Sequence, residues 1–166
     1  LEKLKGKLPA YQFLQKHVNE QPKDQASLMR LANLQIGLNT KLAIENYRKA
    51  IALNDNNFIA HNNLAYLSME QGNLDDALTY AEQAQRLRPT DVNVLDTLGV
   101  IQLKRGKHEL ALEHFKLAVE SLKPGENDII FVNYIEALLV NGQTALAKRK
   151  ISQFEVNEPN AKEKLE

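Results

Sequence analysis

Apolar residues recur along the chain with helical spacing, in stretches interrupted at regular intervals by a glycine or a proline. Alanines flanked by apolar neighbours stand at Ala10, Ala43, Ala77, Ala111 and Ala147, at steps of 33, 34, 34 and 36 residues. The last four of these open a stretch with three- and four-residue spacing: Ala43, Tyr47, Ala50 and Ile51; Ala77, Ala81 and Ala84; Ala111, Phe115 and Ala118; Ala147, Ile151 and Phe154. Such intervals place side chains on one face of a helix. Gly37, Gly72, Gly106 and Gly142 each follow another apolar-periodic stretch and precede one of those alanines by a few residues. They read as left-handed residues that end one helix before the next begins. Pro22, Pro89 and Pro159, with Asp55 and the Lys123-Pro124 step in the equivalent places, close each unit where a helix must stop. The pattern predicts an all-α chain built from repeats of helix, turn, helix, turn.

The period divides the 166 residues into a partial repeat over 1–23, full repeats over 24–57, 58–91, 92–127 and 128–160, and a tail or the start of a capping helix over 161–166, where Asn160 could cap. The unit around Ala43 is one residue short in its turn, and the last full unit follows a two-residue insertion at Lys123-Pro124-Gly125. The stretch from Leu8 to Pro22 reads as a second helix without a complete first helix before it, as in a fragment of a longer array. Small alanines would let the paired helices approach closely while large residues fill the gap and reach into the next unit, so that packing is between neighbours.

The order of these residues resembles the tetratricopeptide repeat. In the unit from Val92, Leu95, Leu98-Gly99, Gly106, Ala111, Phe115 and Ala118 stand in the order of that family's signature, with Gln102 where an aromatic is usual. The preceding unit carries His61, Leu64-Ala65, Gly72, Ala77 and Pro89, but Ser68 and Ala81 replace two bulky packers; the last carries Phe131, Tyr134, Gly142, Ala147 and Ile151. The resemblance implies a right-handed α-α superhelix whose first helices line a concave, peptide-binding surface. Two longer strings, His61-Asn-Asn-Leu-Ala-Tyr66 and Pro89-Thr-Asp-Val-Asn-Val-Leu-Asp-Thr-Leu-Gly99, resemble repeats of bacterial lipoproteins associated with exosortase sorting and exopolysaccharide export. That second resemblance implies a parent that is periplasmic or anchored at the outer membrane; without it the expected compartment is the cytoplasm.

On the face implied for a ligand stand Arg30 and Asn33; Asn62, Asn63, Tyr66 and Met69; Asn93, Asp96, Thr97, Val100 and Lys104; and Val132, Asn133 and Glu136. Asparagine offers both donors and acceptors, so a row of them suits the backbone of an extended peptide. Tyr66, Met69, Val100 and Val132 would add apolar contact. Where the family's carboxylate clamp for chaperone tails would place its cations, this chain has Met29, Asn93 and Thr97, so a terminal carboxylate would lose its charge-assisted bonds.

Composition narrows the alternatives. Hydrophobic residues make up 43% of the chain and charged residues 25%, a folding composition, and 21 basic residues balance 21 acidic ones, which argues against a nucleic-acid partner. No cysteine is present, and no apolar run approaches the roughly 20 residues of a membrane span, so no direct membrane insertion is expected. No phosphate loop, nucleophile elbow or cofactor motif stands out. His108 and His114 are six apart, which turns them to different sides of a helix, and both are expected at the surface instead of on a metal. The expected role is that of a non-enzymatic, cofactor-free scaffold for a protein or peptide ligand. The alternative is a substrate-recruiting arm of a larger enzyme such as a glycosyltransferase, and the exposed ends of the array offer a third role in self-association.

Overall fold

The structure, a computed structural model, describes residues 8–122 and 128–153. Among them run nine helices and no strand: α1 (Leu8–Glu20), α2 (Gln25–Gln35), α3 (Thr40–Leu53), α4 (Phe58–Glu70), α5 (Leu74–Leu87), α6 (Val92–Lys104), α7 (His108–Ser121), α8 (Asp128–Val140) and α9 (Thr144–Gln153). The expectations for Lys123-Pro124-Gly125, Phe154, Pro159 and a cap at Asn160 lie outside the described residues.

Capping side chains start α2, α3, α4 and α6. Asn39 accepts from the Leu42 amide at 3.2 Å, Asn57 from Ala60 at 3.1 Å, and Asp91 from Asn93 and Val94 at 3.0 and 3.2 Å, each filling an amide that the helix cannot. At α2, Asp24 accepts from the Ser27 hydroxyl at 2.7 Å, the Ser27 amide at 3.2 Å and His17 Nε2 at 3.0 Å. Those bonds, the Ser27 hydroxyl foremost, hold its carboxyl down at about 2. A carboxyl depressed by folding stabilises the fold above its unfolded pKa and loses that contribution as pH falls through the folded one. Asp24→Asn is therefore expected to lower the melting temperature at neutral pH, with the gap to wild type closing between about pH 4 and pH 2. Thermal melts followed by circular dichroism across that range check it; a gap independent of pH would mean the cap works by shape alone.

The four turn glycines, Gly37, Gly72, Gly106 and Gly142, all adopt positive φ, between 71° and 80°. At Gly72, Gly106 and Gly142 the glycine amide bonds to the carbonyl three residues back, and the following amide to the carbonyl five back: Asn73 to Ser68, Lys107 to Gln102, Gln143 to Leu138. This double closure needs the left-handed residue. The shorter first turn closes differently, with the Leu38 and Asn39 amides both on the Gln35 carbonyl.

Each turn folds the second helix back on the first. Ala43, Ala77, Ala111 and Ala147 are all fully buried, as are Ala50, Ala84 and Ala118 farther along the second helices. Phe115 on α7 reaches forward into a cluster with Phe131, Tyr134, Ile135, Leu138 and Ala147 of the next unit, so the core continues from pair to pair. Ile151, expected among the packers, is instead 36% exposed on α9. Each second helix packs on the first helix of the following unit. The first helices α4, α6 and α8 also touch one another in succession, which sets them on the inner side of the curve. No helix among the described residues is long and apolar enough to cross a membrane.

Candidate peptide-binding groove

The inner face is built from one side of α2, α4, α6 and α8. Arg30, Asn33, Tyr66, Asn93, Lys104 and Glu136 are exposed on it, and Asn62, Asn63, Asp96 and Val100 are half-buried. Four residues expected to meet a ligand do not present surface. Met69 packs among Ala65, Ala77, Ala81 and Leu98. Thr97 is buried and turns its hydroxyl back to donate to its own helix, on the Asn93 carbonyl at 2.9 Å. Val132 is 2% exposed, and Asn133 is buried with its Nδ2 donating to Asp96 Oδ1 at 2.8 Å. The reason is geometric: first helices lie between their own partners and their neighbours, so little of their circumference remains free.

Beside the expected Tyr66, other apolar residues are exposed on the first helices. Ile59 is 49% exposed and Tyr66 47%, seven residues apart on α4 and so on one stripe of it. Ile129, Leu139 and Val140 are exposed on α8. Ile59 and Ile129 each sit at the second position of a first helix, a repeat-to-repeat match that the spacing alone could have disclosed.

At the junction of α2 and α4 the polar groups are tied together. The Tyr47 side chain is fully buried on α3, with its hydroxyl enclosed between Asn33 and Asn63. It donates to Asn33 Oδ1 in a very close contact and accepts from Asn63 Nδ2 at 2.9 Å, while Asn63 Nδ2 also stands 3.4 Å from Asn33 Oδ1. Burial pushes the Tyr47 phenol up to about 12, against the opposing pull of the Asn63 bond, so its proton stays in place at neutral pH.

His61 occupies a buried packing position, its Nε2 held by the Asp55 carbonyl at 2.9 Å and the Asp55 carboxylate at 3.0 Å. His108 is exposed as expected, whereas His114 is half-buried, and burial lowers its pKa. No group of metal-ligating side chains gathers among the described residues. A cleft of about 530 Å³ lies where α7 meets α8 and α9, lined by Glu113, Lys116, Tyr134 and Leu146; none of the inner-face residues lines it.

Helix pairs stacked through a continuous core, with touching first helices forming an inner face, define an α-α superhelical repeat protein. Comparison with known proteins names the repeat. A model described as tetratricopeptide repeat matches residues 57–123, and one described as TPR repeat matches residues 39–72, together about half of the chain. The chain belongs to the tetratricopeptide repeat family. It is 31% identical over 98 residues to the TPR repeat-containing protein PA4299 of Pseudomonas aeruginosa, a match covering 59% of this chain and 39% of that relative. The chain thus spans well under half of that relative's length. A crystal structure of MamA superposes with a TM-score of 0.78 at 20% identity, over 98% of this chain and 91% of the other. The structure of YrrB, described as a TPR protein with an unusual peptide-binding site, superposes with a TM-score of 0.71 at 21% identity, over 84% and 71% of the two chains.

Proposed function

We propose that the chain is a protein-binding scaffold that holds an extended peptide segment along the inner face of its first helices. The observation that carries this reading is the stripe on α4. Exposed Ile59 and Tyr66 flank half-buried Asn62 and Asn63, an apolar anchor beside groups able to bond a peptide backbone. Large aromatic side chains standing among polar groups are the residues on which binding energy concentrates at protein interfaces. The peptide-binding site named for YrrB, a protein of the same fold, lends support. The lack of cations at Met29, Asn93 and Thr97 favours a ligand engaged along its length over one held by its terminal carboxylate.

Tyr66→Ala is expected to weaken a peptide selected on the wild-type chain by about tenfold or more, without a change in melting temperature. Fluorescence anisotropy with a labelled peptide measures the affinity. Equal binding by both proteins would move the ligand to another surface. The resemblance of His61–Tyr66 and Pro89–Gly99 to repeats of bacterial envelope lipoproteins makes envelope and polysaccharide-export proteins the first natural sequences from which to draw such peptides.

A further inference from the structure

We propose that Tyr47 is a positioning residue: its hydroxyl locks Asn33 and Asn63 into a side-by-side donor and acceptor that read one peptide group of the ligand. The inference rests on the peptide-groove reading above. A phenol has a single proton, so it can donate to only one of the two amides and must accept from the other. With the proton on the bond to Asn33 Oδ1, Asn33 is left with its Nδ2 as donor and Asn63 with its Oδ1 as acceptor, neither atom having a partner among the described residues. If both amides were turned over, the assignment would reverse, but one donor and one acceptor would still face outward. A single peptide group carries the complement, one N–H and one C=O.

The arrangement is confined to this junction. At the places equivalent to Tyr47, the later units have Ala81, Phe115 and Ile151, none with a hydroxyl. At the places equivalent to Asn63, Thr97 is engaged with its own helix, and Asn133 uses its Nδ2 on Asp96. Asn33 and Asn63 also come from successive units, so their separation is fixed by the packing of α2, α3 and α4 and not by one helix alone. Because Tyr47 is fully buried and fixes both amides before a ligand arrives, the ordering cost of aligning them falls on folding, not on binding. A ligand should then be read most strictly at one backbone position, a few residues from the side chain seated on Tyr66.

The test uses a fluorescein-labelled dodecapeptide selected from a random display library on this chain, and a series in which each amide in turn is replaced by an ester, which removes one N–H. In wild type, one ester position is expected to cost about tenfold in affinity. Tyr47→Phe, which keeps the buried ring, should weaken the all-amide peptide about tenfold and reduce the penalty at that ester position to less than about twofold. Asn63→Ala, at a half-buried place, should flatten the ester profile in the same way, and melting temperatures confirm that both variants fold. An ester profile identical in wild type and Tyr47→Phe overturns the positioning role while leaving a peptide groove. Failure to select any peptide whose binding depends on Tyr66 overturns the peptide reading, and this proposal with it.

Discussion

Phe115→Ala is expected to lower the unfolding free energy by about 3–5 kcal/mol, the cost of emptying a fully enclosed aromatic site. The ring is completely buried, and its neighbours are not free to collapse onto the space it leaves. Phe131, Tyr134, Ile135 and Leu138 belong to α8, whose position is also set by α9, while Ala111 is on α7 itself. The consequence goes beyond one cavity. In a linear array each unit is stabilised largely by its neighbours, and Phe115 is the large side chain that couples the α6–α7 pair to the α8–α9 pair. Its loss should therefore weaken the interface more than either pair, so that the last pair unfolds ahead of the rest. Urea denaturation followed by circular dichroism should show a lower midpoint together with a broader transition, because a single cooperative step has become two. A loss under about 1 kcal/mol with an unchanged slope would show that the interface does not depend on this ring.

The features legible in the sequence are those imposed by local chain geometry. Gly72, Gly106 and Gly142 had to recur because each turn closes through a left-handed residue, and Ala77, Ala111 and Ala147 because two helices cross closely there. The second helices are also readable, since each buries one stripe and leaves the opposite side in water, the condition under which a helical period is visible. First helices are not in that situation. On α8 the run Ile130, Phe131, Val132, Asn133, Tyr134 and Ile135 is buried without a break, because one side meets α9 and others meet the preceding unit. A helix enclosed on most sides carries almost no amphipathic signal, so nothing in the spacing separated Val132 or Met69 from Tyr66. The Tyr47 cluster lay out of reach for a different reason. Its three members come from three helices in two units, and Tyr47 looks in sequence like any other core aromatic; only the folded arrangement brings its hydroxyl to Asn33 and Asn63.

Gly99→Ala sets two effects of known size against each other. Within a helix, alanine is favoured over glycine by about 1 kcal/mol, and Gly99 lies inside α6, so an open site would gain from the change. The site is not open. A methyl group at Gly99 would stand 2.5, 2.6 and 2.7 Å from Cε1, Cζ and Cδ1 of Phe115, overlapping a whole edge of the ring and not the end of a flexible chain. Overpacking of this kind costs about 1–3 kcal/mol, and overlap with three ring atoms in an enclosed cluster places it toward the upper end. Net destabilisation by about 1–2 kcal/mol is expected in the wild-type background. The preceding unit shows the same rule from the other side: Ala65 is accommodated where the residue equivalent to Phe115 is the small Ala81, and both are fully buried. Combining the substitutions isolates the cause. With Phe115 already replaced by alanine, the added methyl enters the space the ring has left, the helix preference acts unopposed, and Gly99→Ala should stabilise by about 1 kcal/mol. The sign of the Gly99→Ala effect thus depends on the residue at 115, and urea titrations of the two single variants and the double variant measure that reversal directly. Destabilisation by the same amount in both backgrounds would place the strain in the backbone of α6 instead of in the contact with the ring.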